Sequence, residues 1–80
     1  MWKIIFDEKA IEFLEKTERH ISKRIWDKIQ LAKENPFRYY KRLKNEVTYS
    51  LRVGDYRVIA DINNEYIEIL LIDHRKRVYY

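Results

Sequence analysis

The sequence predicts an α+β domain in which an N-terminal helical hairpin covers one face of an antiparallel sheet. Three observations carry this. Apolar residues recur at helical spacing through the first half and alternate through the second. The only proline follows the last helical stretch, in Asn35-Pro36. Two turn dipeptides, Gly54-Asp55 and Asn63-Asn64, cut the second half into runs of strand length.

Each element has a local reason. Residues 2–6 form a short apolar strand. Asp7 caps the next helix, because its carboxylate accepts from the free amides of the first turn. Residues 8–16 place Ala10, Phe13, Leu14 and Thr17 along one helical face. Thr17-Glu18 is a break. Residues 18–34 form a longer helix with Ile21, Ile25, Ile29 and Ala32 as its buried stripe, widened by Trp26. Asn35-Pro36 ends it, since the residue before proline is driven out of the helical region. Residues 37–47 are a basic, aromatic connection. Three strands follow, at 48–53, 56–62 and 65–72, giving the order β-α-α-β-β-β.

The totals narrow the function. The chain has 80 residues, enough for one domain spanning 1–80. With no cysteine there is no disulfide framework, thiolate metal site or cysteine nucleophile. The histidines are two and far apart, so no metal-ligand spacing is present, and no cofactor or metal is expected. The apolar run at the start is broken by Lys3, too short for a signal peptide or a membrane span. A soluble cytoplasmic protein is expected. The net charge is +4. Residues 35–80 hold 9 basic and 6 acidic residues and every tyrosine. Cations interleaved with aromatics suit phosphate backbones and unstacked bases, although the same charge also serves solubility.

If both turns are two-residue loops, the register follows. Val53 then faces Tyr56, Arg52 faces Arg57, Leu51 faces Val58 and Ser50 faces Ile59. In the second hairpin Asp61 faces Tyr66, Ile59 faces Glu68 and Arg57 faces Leu70. Alternation gathers Tyr49, Leu51, Val53, Val58, Ala60, Ile62, Ile67, Ile69 and Leu71 toward the helices. The open face receives Thr48, Ser50, Arg52, Arg57, Asp61, Tyr66, Glu68 and His74. Two arginines across a ladder repel. Either Asp61 and Glu68 bridge them, or an external anion completes the site.

Two segments, "LKNEVTYSLRVGDYRVIADI" (43–62) and "IEILLIDHRKRVYY" (67–80), resemble the RelE/ParE toxin superfamily of toxin–antitoxin systems. The first holds Leu51, Arg52, Gly54, Tyr56, Arg57 and Val58. The second holds Asp73, His74, Arg75, Lys76, Val78 and Tyr79. The resemblance covers nearly the whole chain. It implies a type II toxin whose RelE branch cuts mRNA in the ribosomal A site without a metal. The ParE branch shares the fold and poisons DNA gyrase. It implies partners as well: a small cognate antitoxin that holds the toxin inactive, the ribosome and mRNA, and no membrane.

By the same resemblance Arg57 matches the hairpin arginine of RelE-like nucleases. Arg75 matches their second arginine and Tyr79 their C-terminal tyrosine. Thr48 and Ser50 stand where those enzymes carry two lysines, so Lys41, Lys44 or His74 becomes a candidate for proton transfer. Arg57 and Arg75 suit the stabilisation of a phosphorane, because arginine stays charged and binds phosphate bidentately. Either could instead form a surface ion pair with Asp61 or Asp73. Tyr79 suits base stacking, or simply tacks the tail to the sheet. His74 has the titration range for proton transfer, or is a plain exposed histidine. Arg52, Lys41, Arg42, Lys44, Lys76 and Arg77 are candidates for gripping RNA phosphates.

Overall fold

The computed structural model describes residues 2–43 and 47–74. In chain order the elements are β1 (Lys3–Phe6), α1 (Glu8–Lys16), α2 (Arg19–Ala32), α3 (Pro36–Tyr39), β2 (Lys41–Arg42), β3 (Tyr49–Val53), β4 (Tyr56–Asn63) and β5 (Tyr66–His74).

The helices begin and end for local reasons. Asp7 is extended, and its carboxylate accepts from the Lys9 amide at 3.0 Å. At the other end of α1 the Thr17 amide donates to the Phe13 carbonyl. The Ser22 hydroxyl donates to the Leu14 carbonyl. That bond satisfies one of the carbonyls a helix end leaves free and ties the hairpin together. Pro36 stops α2 and also starts α3, since its fixed φ suits a first helical position. The expected connection over 37–47 therefore holds a helical turn and a short strand.

The sheet runs β1-β5-β4-β3-β2. It is mixed, because β1 lies parallel to β5, with Lys3 beside Tyr66 and Phe6 beside Ile69. The other pairings are antiparallel. One face packs on the helices. Ala10, Ile25, Ile29 and Ala32 meet Leu51, Val53, Val58, Ala60, Ile62, Ile67, Ile69 and Ile72, all buried. Each fully buried Ile, Leu or Val contributes about 1.5–3 kcal/mol relative to an exposed one. Trp26 does not extend the buried stripe. It stacks one ring face on Phe6 at 5.3 Å and stays 45% exposed.

The first hairpin has the expected register, from Val53↔Tyr56 to Ser50↔Ile59. Gly54 has φ +60, and Asp55 stays at negative φ, as a type II′ turn requires. A Cβ on Gly54 would lie 3.0 Å from an Arg24 guanidinium nitrogen. Gly54→Ala is therefore expected to cost about 1 kcal/mol or more, read as a lower melting temperature. An unchanged melt would show that the turn relaxes without loss.

The second hairpin departs from expectation. Only Asn64 takes positive φ, at 52°, so the turn is Asn64-Glu65 and Asn63 pairs with Tyr66. The expected pairs Asp61–Tyr66, Ile59–Glu68 and Arg57–Leu70 do not form. Asp61 instead faces Glu68, and Ala60 faces Ile69. The ladder then slips at Ile59/Ala60, so Ile59 faces Leu71, Val58 faces Ile72, Arg57 faces Asp73 and Tyr56 faces His74. This is a β-bulge at Leu70, and it inverts the alternation of the rest of β5. Ile72 is buried at 2% exposure, whereas Leu71 is 37% exposed. The expectation that Leu71 enters the core and His74 the open face is thereby corrected.

Tyr40, between α3 and β2, is 3% exposed, and its hydroxyl has no hydrogen-bond partner among the described residues. Burial also pushes its phenol above the ordinary tyrosine range. Tyr40→Phe removes that buried hydroxyl and is expected to leave stability at neutral pH within about 1 kcal/mol of the wild type. The phenol of the unfolded chain ionises near pH 10, before that of the folded chain. Below pH 10 the phenol is neutral in both states and adds no pH dependence, and stability falls as pH rises beyond it. Tyr40→Phe should flatten that alkaline loss in thermal melts at stepped pH. An equal alkaline loss in both proteins would assign it to other groups.

Candidate nucleic-acid interface

The face turned away from the helices is organised in rows across the strands. The turn Gly54-Asp55 sets Arg52 directly opposite Arg57, and Asp73 lies on the far side of Arg57. Arg57 is thus the middle of an Arg52–Arg57–Asp73 row, on the central strand β4. The next row is Lys41, Ser50, Ile59 and Leu71. Beyond it lie Asp61, Glu68 and Ile5.

The two arginines lean apart. The Arg52 Nε donates to the Gly54 carbonyl at 3.3 Å, toward the turn. The Arg57 Nη1 donates to the Ser50 hydroxyl at 3.3 Å, in the other direction along the ladder. Divergence eases the repulsion that a facing like-charged pair carries. Ser50 is only 5% exposed, so it anchors Arg57 in a partly dry setting. Arg52 is exposed, and Arg57 is partly buried. One guanidinium is thus fixed and the other accessible, an arrangement suited to holding an anion by parallel N–H donors.

The remaining candidates divide. Lys41 stands opposite Ser50 and so shares the arginines' face. Arg42 stands opposite Tyr49, whose side of β3 turns toward the helices. His74 also belongs to the helix side. It packs edge-on against Tyr56 at 5.6 Å, and Tyr56 packs against Phe13 of α1. The structure therefore separates His74 from the face of Arg52 and Arg57. Lys44, Arg75, Lys76, Arg77 and Tyr79 lie outside the described residues.

A bridge by Asp61 and Glu68 was one of the two ways open for relieving the arginines' repulsion. They face each other instead, two rows away from Arg57. Asp73, whose Oδ1 accepts from the His74 amide at 2.7 Å, is the acid in register with Arg57. Sequence reasoning missed this pairing. The signal was the run Ile69-Leu70-Leu71-Ile72, four apolar residues that simple alternation cannot place on one face.

Residues 4–79 match the family model of the ParE toxin of the type II toxin-antitoxin system, parDE. No curated protein matches the sequence. Among solved structures, the chain is similar to the toxin–antitoxin complex RelBE2 of Mycobacterium tuberculosis, with a TM-score of 0.83 and 28% identity, covering 92% of this chain and 98% of that one. It is similar to the RelB-RelE antitoxin–toxin complex of Methanococcus jannaschii, with a TM-score of 0.73 and 27% identity, covering 94% of each chain. The chromosomal ParDE system of P. aeruginosa shares the fold, with a TM-score of 0.76 at 15% identity, over 92% of this chain and 96% of that one. A toxin fold of mixed sheet and helical hairpin, matched over almost its full length, settles the family: the chain belongs to the ParE toxin family of type II toxin–antitoxin systems, within the RelE/ParE superfamily.

Proposed function

We propose that this toxin is an endoribonuclease that cuts mRNA in the ribosomal A site, without a metal, and so stops translation. The observation that carries the reading is the Arg52–Arg57 pair, placed side by side on the open sheet face by the II′ turn. The 2′-hydroxyl attacks the adjacent phosphorus, the bond to the 5′ oxygen breaks, and a 2′,3′-cyclic phosphate and a 5′-hydroxyl result. Arg57, fixed by Ser50, stabilises the extra charge on the phosphorane, and Arg52 grips the neighbouring phosphate. By resemblance, Arg75 adds a second cation and Tyr79 stacks on a base.

The proton must leave the 2′-hydroxyl and another must reach the 5′ oxygen. Lys41 is the best-placed described group, because it pairs with Ser50, where the RelE-like nucleases carry a lysine. A lysine lost from β3 is then replaced from the neighbouring strand. His74 turns to the other face and is a weaker candidate. Lys44, Lys76, Arg77 and Arg42 supply charge toward RNA. The partner is a cognate antitoxin, as in the RelB-RelE complexes, and the site of action is the ribosome in the cytoplasm. No helix among the described residues is long and apolar enough to cross a membrane.

A gyrase-directed reading has its own support. The matching family model is that of ParE, and Thr48 and Ser50 depart from the nuclease pattern. The deciding experiment places purified toxin on ribosomes programmed with a short mRNA and maps the products by primer extension. A-site cuts with cyclic phosphate ends are expected. Intact message, together with inhibited DNA supercoiling, would give the chain to the gyrase branch.

A further inference from the structure

We propose that RNA is held at a second place, a groove between α2 and the β3–β4 turn, where Arg24 and Lys28 take the phosphates of a strand running on from Arg52. The proposal deepens the nuclease reading and rests on it for the choice of RNA. The geometry begins on α2. His20, Arg24 and Lys28 are four residues apart, so they share one face. Each step rises about 6 Å along the helix. That is comparable to the spacing of successive phosphates along a nucleic-acid strand.

The sheet leaves room beside this stripe. β2 pairs only with Tyr49 and Ser50, so the outer edge of β3 beyond Ser50 has no neighbouring strand. There a 280 Å³ groove opens, lined by Arg24 and Lys28 on one side and by Arg52, Val53 and Gly54 on the other. A second groove of 230 Å³ continues it past Arg24 to His20. Arg24 lines both. Its guanidinium lies over Gly54, with its nearest nitrogen 3.0 Å from where a Cβ would sit. Arg52 belongs at once to the open face and to the groove, which joins the two surfaces around the sheet edge.

The charges favour a polyanion. Arg24 forms no ion pair among the described residues, and Lys28 lies over the Tyr39 ring at 5.6 Å. Two carboxylates are present. Asp27 is held by Lys23 at 2.7 Å, and Asp55 sits on the turn. The exposed apolar side chain in the lining is Leu31, at one end. An acidic protein segment that folds on binding needs a broader apolar seat. A flexible chain of evenly spaced phosphates needs only the cations.

The test measures the affinity of a short labelled single-stranded RNA by anisotropy across a salt series, without ribosomes. The toxin is compared with R24Q/K28Q and with K9Q/K16Q, which removes the same charge from α1. R24Q/K28Q is expected to reduce the log–log salt slope by about 1.4, two contacts at about 0.7 each. K9Q/K16Q should leave the slope unchanged. If R24Q/K28Q melts early, R24Q alone carries the test, with a change of about 0.7. Equal slopes in all proteins, or no RNA binding by the wild type, would overturn the groove. So would an unchanged RNA slope with loss of binding to an acidic peptide, which would give the surface to a protein. The two readings fail separately: RNA bound through Arg24 and Lys28 but no A-site cleavage removes the nuclease and leaves the groove.

Discussion

Arg57→Ala is expected to lower A-site cleavage by about 100-fold or more, the usual consequence of deleting one group aimed at transition-state charge. Its effect on folding should be small. The side chain is only partly buried, and it donates a hydrogen bond to Ser50. A loss of about 1 kcal/mol is the expected scale for such a bond. The readout is the cleavage rate on programmed ribosomes beside a thermal melt of the same protein. Arg57→Lys should recover little, because an ammonium cannot bridge two phosphate oxygens as a planar fork does. Cleavage at the wild-type rate would remove Arg57 from the chemistry. A collapse of the melt with the activity would make it structural.

The other large effect tests the bulge. Ile72→Ala should cost about 2–5 kcal/mol, the range for emptying a buried isoleucine site. In a domain of this size that lowers the melting temperature by about 10 °C or more. Leu71→Ala should cost well under half as much, since Leu71 faces outward. The residues are neighbours of similar size, so the contrast reads only their orientation. Equal losses, or a larger one at Leu71, would restore the uninterrupted alternation and return His74 to the arginines' face.

These two sites mark where the sequence was legible and where it was not. The first hairpin could be read residue by residue because a glycine can adopt a backbone that other residues rarely do. That one constraint placed Arg52 against Arg57. Asn63-Asn64 offered two asparagines for one left-handed position, and the choice between them rests on tertiary packing. The bulge at Leu70 was harder. Its four-residue apolar run fits either face until Val58 and Ile72 meet in the core. The pairing of Lys41 with Ser50 was illegible for a different reason, since a two-residue strand carries no periodicity. The parallel placement of β1 likewise depends on where the helices return the chain, which local patterns do not encode. His74 thus moved from the candidate site to the aromatic packing around Tyr56, and Asp73 took the position beside Arg57.

The parallel pairing of β1 with β5 has a kinetic meaning. It joins the first described strand to the last, so its contacts are among the most distant in sequence that the fold makes. Contacts of that kind form late and slow the search for the native state. During synthesis the helical hairpin can form early, but β1 waits unpaired until β5 has been made. The row Arg52–Arg57–Asp73 also draws its third member from β5. Until β5 has been made, a nascent chain therefore lacks both the β1–β5 pairing and the acid that stands beside Arg57.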